Sequence, residues 1–175
     1  MVRNEYGFHV IRNGDRSIFS CKPDALIIGP GPMTPADTGV LPEYFSKYVE
    51  PNNIPVFGVC LGMQYLAHRE GLVVGKSTNP KHGAAEKMNH VAKDLFKNVN
   101  SDFSGARYNS LEVQQNELLK SKSLKILAKS ADNNTVMSLR HVIKPWAGVQ
   151  FHPESFLTTQ GDVIIDNFFK QYVES

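Results

Sequence analysis

The chain has 175 residues, of which 19 are basic and 17 acidic, and 41% are hydrophobic. This length predicts one domain, residues 1–175, whose core needs neither disulfides nor a metal. The scattered charges do not indicate a nucleic-acid or membrane surface, and the longest apolar runs, such as residues 25–28, are too short to span a bilayer. Residues 1–10 lack the apolar stretch of a signal peptide, so we expect a cytoplasmic protein in which Cys21 and Cys60 are free thiols.

Apolar periodicity along the chain indicates strands that alternate with helices. Short apolar runs bounded by glycine, proline or polar residues predict strands at residues 8–12, 25–28, 56–59 and 146–151. Helical spacing predicts helices at residues 41–48, 63–69 and 164–172. Weaker patterns allow strands of a mixed or antiparallel edge at residues 107–113, 124–129 and 135–139. This alternation predicts an α/β fold with an open, mostly parallel sheet flanked by helices.

The turn after the predicted strand at 56–59 carries a candidate nucleophile. Gly58, Cys60 and Gly62 form a Gly-x-nucleophile-x-Gly pattern, with cysteine in the place where many hydrolases have serine. The glycines leave room for a sharp turn, and the free N–H groups of the following helix stabilise negative charge at the sulfur. The N–H of Leu61 can then be one donor of an oxyanion hole. A buried structural cysteine would fit the same pattern, so catalysis also needs a base.

His152 is the best candidate for that base among the six histidines. It follows a predicted buried strand, and the carboxyl ends of parallel strands, where Cys60 also lies, meet at one edge of a sheet. Glu154 can accept a hydrogen bond from the second ring nitrogen, and Pro153 makes the link rigid. A surface histidine beside a surface glutamate is the alternative. The combination with the cysteine turn favours a Cys60–His152–Glu154 triad.

A loop rich in glycine and proline, residues 29–35, follows the predicted strand at 25–28. Its glycine spacing does not fit a dinucleotide or phosphate loop. Its fixed backbone N–H groups suit the wall of an oxyanion or amide site, and a plain tight turn is the alternative.

Together these segments resemble the class I, or triad, glutamine amidotransferases, and within them the glutaminase subunits of anthranilate synthase and aminodeoxychorismate synthase. The similarity is carried, in the family's order, by residues 28–35 (IGPGPMTP), 58–64 (GVCLGMQ), 107–111 (RYNSL), 148–155 (GVQFHPES) and 157–161 (LTTQG). The resemblance implies that Cys60 attacks the side-chain amide of L-glutamine and that His152 and Glu154 complete the triad.

The same resemblance implies the remaining site residues and the partner. The substrate contacts that it implies are Gly31, Pro32, Met33, Leu61, Gln64, Ser110 and Leu111. The first four belong to the oxyanion side, and the last three would hold the amino-acid end of glutamine. The released ammonia would pass to a chorismate-using component I subunit in a hetero-oligomer, and the amide hydrolysis itself would need no cofactor and no metal.

Three features depart from the family's usual pattern. The chain begins inside the family's first helix, so we expect an N-terminally short domain without the usual first strand. Met33 stands where the subfamily usually has glycine, while Met63 and Asn109 replace common histidines. Two alternatives therefore stay open: an amidotransferase-like binding or regulatory subunit without catalysis, and a hydrolase of γ-glutamyl compounds. Anthranilate and aminodeoxychorismate synthesis are equal options at this stage.

Overall fold

The computed structural model describes residues 6–174, which form one seven-stranded sheet and one two-stranded sheet. In spatial order the large sheet contains Leu26–Ile28 (β1), Val56–Val59 (β2), Trp146–Val149 (β9), Val136–His141 (β8), Leu124–Ser130 (β7), Ala84–His90 (β4) and Ser104–Arg107 (β5). Strands β1, β2 and β9 are parallel, and the other neighbours pair antiparallel. The small sheet pairs Val74–Lys76 (β3) with Leu111–Val113 (β6). The predicted α/β class is confirmed.

Helices cover both faces of the parallel strands. These helices are Leu41–Tyr44 (α1), which continues as a π-helical turn, Leu61–Arg69 (α2) and Gly161–Phe168 (α4), which also continues as a π-helical turn. A further helix, Gln115–Lys120 (α3), packs on β7. All residues of β2 and β9 are buried, as expected for strands covered on both sides. Val56 and Trp146 pack in a cluster with side chains of α1 and α2, whereas Phe57 and Ala147 pack in another cluster with side chains of α4.

Three glycines bring the beginning of α2 directly onto the sheet. A Cβ atom at Gly62 would lie 2.2 Å from the carbonyl oxygen of Ile28 in β1. One at Gly58 would lie 2.4 Å from the backbone of Gly62, and one at Gly148 would lie 2.8 Å from the carbonyl oxygen of Gly58. Because none of these contacts tolerates a side chain, the turn at Cys60 is fixed against β1, β2 and β9.

Two strand predictions are wrong in part or in whole. Residues 8–12 form no strand, and Val10 is 97% exposed. Within residues 6–174, β1 is an edge strand that pairs with β2 alone. Residues 8–12 do not pair with its open edge. The predicted strand at 107–113 is divided, because Arg107 ends β5 and Leu111 begins β6, in a different sheet. The strands expected at 124–129 and 135–139 are confirmed with shifted ends, as β7 and β8.

The expectation that the family's first strand is missing concerns the beginning of the chain, and residues 1–5 lie outside the described residues. The helices formed by residues 6–174 all lack the length and the apolar character that a membrane span requires. Both Cys21 and Cys60 are free thiols, as predicted.

Candidate active site

Cys60 lies in a strained turn between β2 and α2. Its φ of +53° is a conformation that non-glycine residues rarely adopt. Its N–H donates to the carbonyl oxygen of Val149 at 2.8 Å, and its own carbonyl accepts from the N–H of Gln64 at 3.1 Å. The turn is thus held by β9 on one side and by α2 on the other. Leu61 is the first residue of α2, so its N–H has no partner within the helix.

The backbone of His152 is fixed just after the end of β9 at Val149. Its N–H donates to the carbonyl oxygen of Ala106 in β5 at 2.9 Å, and its carbonyl accepts from the hydroxyl of Thr158 at 2.6 Å. The ring nitrogen Nδ1 lies 2.7 Å from Oε1 of Glu154. The ring of Tyr108 packs against the imidazole with centroids 4.8 Å apart. These contacts fix both the position and the plane of the ring.

The other nitrogen of this imidazole, Nε2, is buried, and no residue in the described part of the chain forms a hydrogen bond with it. The neighbouring Cys60 side chain, followed by the hydrogen bond with Glu154, raises the pKa of His152 from 6.5 to about 9 against the opposing effect of desolvation. Burial alone would raise the pKa of Glu154, but the bond with His152 outweighs it, so that pKa is lowered. Around pH 7 the arrangement therefore holds an imidazolium beside a sulfur and a carboxylate.

We expect the ring of His152 to titrate near pH 9 in NMR spectra, with His152→Asn identifying its signal. Since Cys60 is the largest cause of the shift, the midpoint should fall in Cys60→Ala. Because the folded-state pKa is raised, the stabilisation linked to this proton is complete below pH 6.5 and is lost as the pH rises through about 9. An unchanged midpoint in Cys60→Ala would show that the two side chains do not interact.

The loop at residues 29–35 reaches the beginning of α2. A Cβ atom at Gly31 would lie 2.9 Å from Cδ2 of Leu61, so the structure brings these two predicted site residues together. Pro32 has no N–H, which leaves Gly31 and Met33 as the backbone donors of this stretch. Met33 itself has a φ of +84° and is 64% exposed.

We expect Met33→Gly to stabilise the protein by about 1 kcal/mol, because glycine adopts a positive φ without steric cost. Chemical unfolding of both proteins measures the difference. Met33→Ala is the matched control, since it removes the long side chain but keeps the strained backbone, and its stability should stay close to that of the parent. Equal stability of the glycine and alanine variants would contradict a backbone origin.

Gln64 and Leu111 are also brought together. The amide nitrogen of Gln64 donates to the carbonyl oxygen of Leu111 at 3.0 Å and to Oε1 of Gln150 at 2.9 Å, so both of its N–H groups are used. Neither of these two contacts uses the oxygen of Gln64. Ser110 is exposed, and its hydroxyl lies 3.4 Å from Nε2 of His82. Residues 6–174 contain no group of histidine, cysteine or carboxylate side chains arranged to hold a metal ion.

The sequence profile of one family, glutamine amidotransferase class-I, matches residues 1–172. The chain belongs to this family. Anthranilate synthase component 2 from Methanocaldococcus jannaschii is 40% identical to this amidotransferase over 157 residues, 87% of this chain and 76% of the relative. The Thermus thermophilus protein of the same name is 36% identical over 148 residues, 85% of this chain and 71% of the relative. A crystal structure described as a GMP synthase subunit from Thermoplasma acidophilum shares the fold, with a TM-score of 0.74 and 25% identity over 90% of this chain and 77% of that one.

One side chain at the centre of this amidotransferase site was not predicted. Gln150 is fully buried, and its amide nitrogen lies 3.4 Å from the sulfur of Cys60. Gln150 lies in residues 148–155, where the sequence predicts catalytic roles for His152 and Glu154. A polar side chain at the end of a fully apolar strand was the available signal, because such a residue must find buried partners.

Proposed function

We propose that this amidotransferase is a glutaminase subunit, which hydrolyses L-glutamine to glutamate and ammonia and supplies the ammonia to a chorismate-aminating subunit. The observation that carries the proposal is the placement of Cys60 in a strained turn next to His152, whose Nδ1 is bonded to Glu154. A nucleophile, a base and a group that orients the base are the three parts that covalent amide hydrolysis requires.

In the first half-reaction the Cys60 thiolate attacks the carbon of the glutamine side-chain amide, and a C–S bond forms. The imidazolium of His152 then gives its proton to the amide nitrogen, so that the C–N bond breaks and ammonia leaves. Glu154 stabilises the imidazolium that exists before this transfer. The enzyme is left as a glutamyl thioester with a neutral imidazole.

In the second half-reaction water attacks the thioester and gives a proton to His152, and the C–S bond breaks to release glutamate. Both steps place negative charge on the former amide oxygen. The free N–H of Leu61 and the loop donors of Gly31 and Met33 are the groups that we assign to it, with Pro32 keeping that loop rigid. The oxygen of Gln64 is an acceptor for the α-ammonium group of glutamine, and the Ser110–Leu111 backbone lies beside it.

The partner that we propose is a component I synthase subunit, bound as a hetero-oligomer. The relatives named anthranilate synthase component 2 support this choice, at 34–40% identity. Their names make anthranilate formation the first reaction to test and aminodeoxychorismate formation the second.

The test is the release of glutamate from glutamine by the 175-residue protein, alone and with each type of component I subunit plus chorismate. We expect release that rises when the matching subunit is added. No release in any mixture would contradict the proposal and favour a binding or regulatory subunit. Release that neither subunit changes would favour a hydrolase of γ-glutamyl compounds.

A further inference from the structure

Gln150 links the sulfur of Cys60 to the glutamine-binding side of the site. Its side chain is fully buried, and its own N–H donates to the carbonyl oxygen of Met137 in β8 at 2.8 Å. Its amide oxygen accepts from Gln64, and its amide nitrogen lies 3.4 Å from the sulfur. The oxygen of the Gln150 side chain thus contacts Gln64 and its nitrogen contacts Cys60, two residues to which we assign roles in the reaction.

The orientation of this amide is fixed by a chain of hydrogen bonds that begins at an arginine. Arg107 can only donate, and its Nε donates to Oδ1 of Asn109 at 3.0 Å. The amide nitrogen of Asn109 therefore faces the carbonyl oxygen of Leu111, at 2.9 Å. This carbonyl can only accept, so the nitrogen of Gln64 must point toward it as well.

The same logic continues to the sulfur. Since Gln64 also offers its nitrogen to Gln150, the oxygen of Gln150 must face Gln64. The nitrogen of Gln150 then faces Cys60, and the sulfur meets a donor rather than an acceptor. An N–H donor at a buried sulfur stabilises the thiolate relative to the thiol and restricts the side chain to one direction.

We propose that Gln150 is a positioning residue for the nucleophile, whose amide N–H directs the Cys60 sulfur at the substrate and stabilises negative charge that develops on it. The catalytic consequence rests on the proposed glutaminase function, whereas the contact with the sulfur does not. His152 lies on the route of the proton, and Gln150, which has no proton to give up, supplies a fixed dipole.

The test compares Gln150→Met, which has similar length and no donor, with Gln150→Glu, which places a carboxylate beside the sulfur. Ser138→Ala is the control, because Ser138 is equally buried on β8 and its hydroxyl donates to the carbonyl oxygen of Gly148 at 2.8 Å. The readout is the rate at which iodoacetamide alkylates Cys60 as a function of pH. It is followed by mass spectrometry of the peptide that contains Cys60, so that Cys21 is counted separately.

We expect the pH midpoint of alkylation to rise by about one unit or more in Gln150→Met and further in Gln150→Glu, with no change in Ser138→Ala. For glutamine hydrolysis we expect kcat to fall about tenfold or more with KM nearly unchanged, because the lost interaction acts on the sulfur. Alkylation does not require turnover, so it tests this proposal even if the parent protein releases no glutamate.

An unchanged or lowered midpoint in a folded Gln150→Met protein would overturn the proposal and leave Gln150 as a structural amide. Folding is checked by circular dichroism and thermal unfolding. If Gln150→Met does not fold, Gln150→Leu decides in its place, because it also lacks the donor and adds no charge beside the sulfur. An equal rise of the pH midpoint in Ser138→Ala would also overturn the proposal. It would show that loss of a buried hydrogen bond between the strands is enough to change the alkylation of Cys60.

Discussion

Replacing Cys60 by glycine or by alanine is expected to reduce glutamine hydrolysis at least about 10³-fold, since either change removes the attacking atom. The two variants should nevertheless differ in stability. Cys60 has a φ of +53° and a ψ of −103°, which glycine adopts freely and alanine does not. We therefore expect the free energy of unfolding of Cys60→Gly to exceed that of Cys60→Ala by about 1–2 kcal/mol.

Glutamate release measures the first effect and urea unfolding the second. Cys60→Ala serves as the control for Cys60→Gly, because both lose the sulfur and its contact with Gln150 and only the backbone strain differs. Glutamate release by both variants at the parent's rate would remove Cys60 from the reaction. Equal free energies of unfolding would mean that the positive φ at residue 60 causes no backbone strain.

Glu86→Ala is expected to lower the free energy of unfolding by about 3–5 kcal/mol, because it leaves a buried guanidinium without a counter-charge. The Arg107 side chain is completely buried, and its Nη1 lies 2.5 Å from Oε2 of Glu86. Ser130 donates to the other carboxylate oxygen. Burial raises the pKa of Glu86, but the bonds from Ser130 and Arg107 outweigh it and lower that pKa. The stabilisation is thus present above pH 4.5 and is lost as the pH falls through the lowered value.

Lys81→Met is the matched control for this prediction. Lys81 contacts the same carboxylate at 3.2 Å but is partly exposed, so its loss should cost about 1 kcal/mol or less. Urea unfolding at neutral pH compares the two variants. A loss below about 1 kcal/mol in Glu86→Ala would contradict the prediction, because it would mean that water or another residue neutralises Arg107. We also expect reduced glutamine hydrolysis in Glu86→Ala, since Arg107 begins the chain of bonds that ends at Cys60.

The cysteine turn and the His152–Glu154 pair were predictable because each depends on a short stretch of sequence. Glycines on both sides of Cys60 indicate close packing of the backbone at this turn, and His152 and Glu154 are separated by one proline. Whether they catalyse stays a prediction. Gln150 was not predictable in the same way, because its partner Gln64 is 86 residues away and no local pattern connects them.

The missed and misplaced strands have a different cause, since strand formation depends on neighbours. Strand β4 directs Glu86 and Met88 inward, and the charged member of this pair breaks the alternation by which a strand is identified. Glu86 can be buried because other strands supply its partners, Arg107 from β5 and Ser130 from β7. Residues 8–12 show the reverse case, an apolar run beside which residues 6–174 place no strand for pairing.

Cys60 and His152, the proposed nucleophile and base, follow two neighbouring parallel strands, β2 and β9, which are 90 residues apart at Cys60 and Gln150. Pairing of β2 with β9 therefore closes a long loop of chain. Such pairings form slowly in folding, because the chain loses conformational entropy before the contacts between the strands stabilise it. We therefore expect Cys60 and His152 to meet in a chain still being synthesised only after β9 has left the ribosome and paired with β2. Regain of activity during refolding is accordingly expected to report this distant pairing, later than the signals of helix formation.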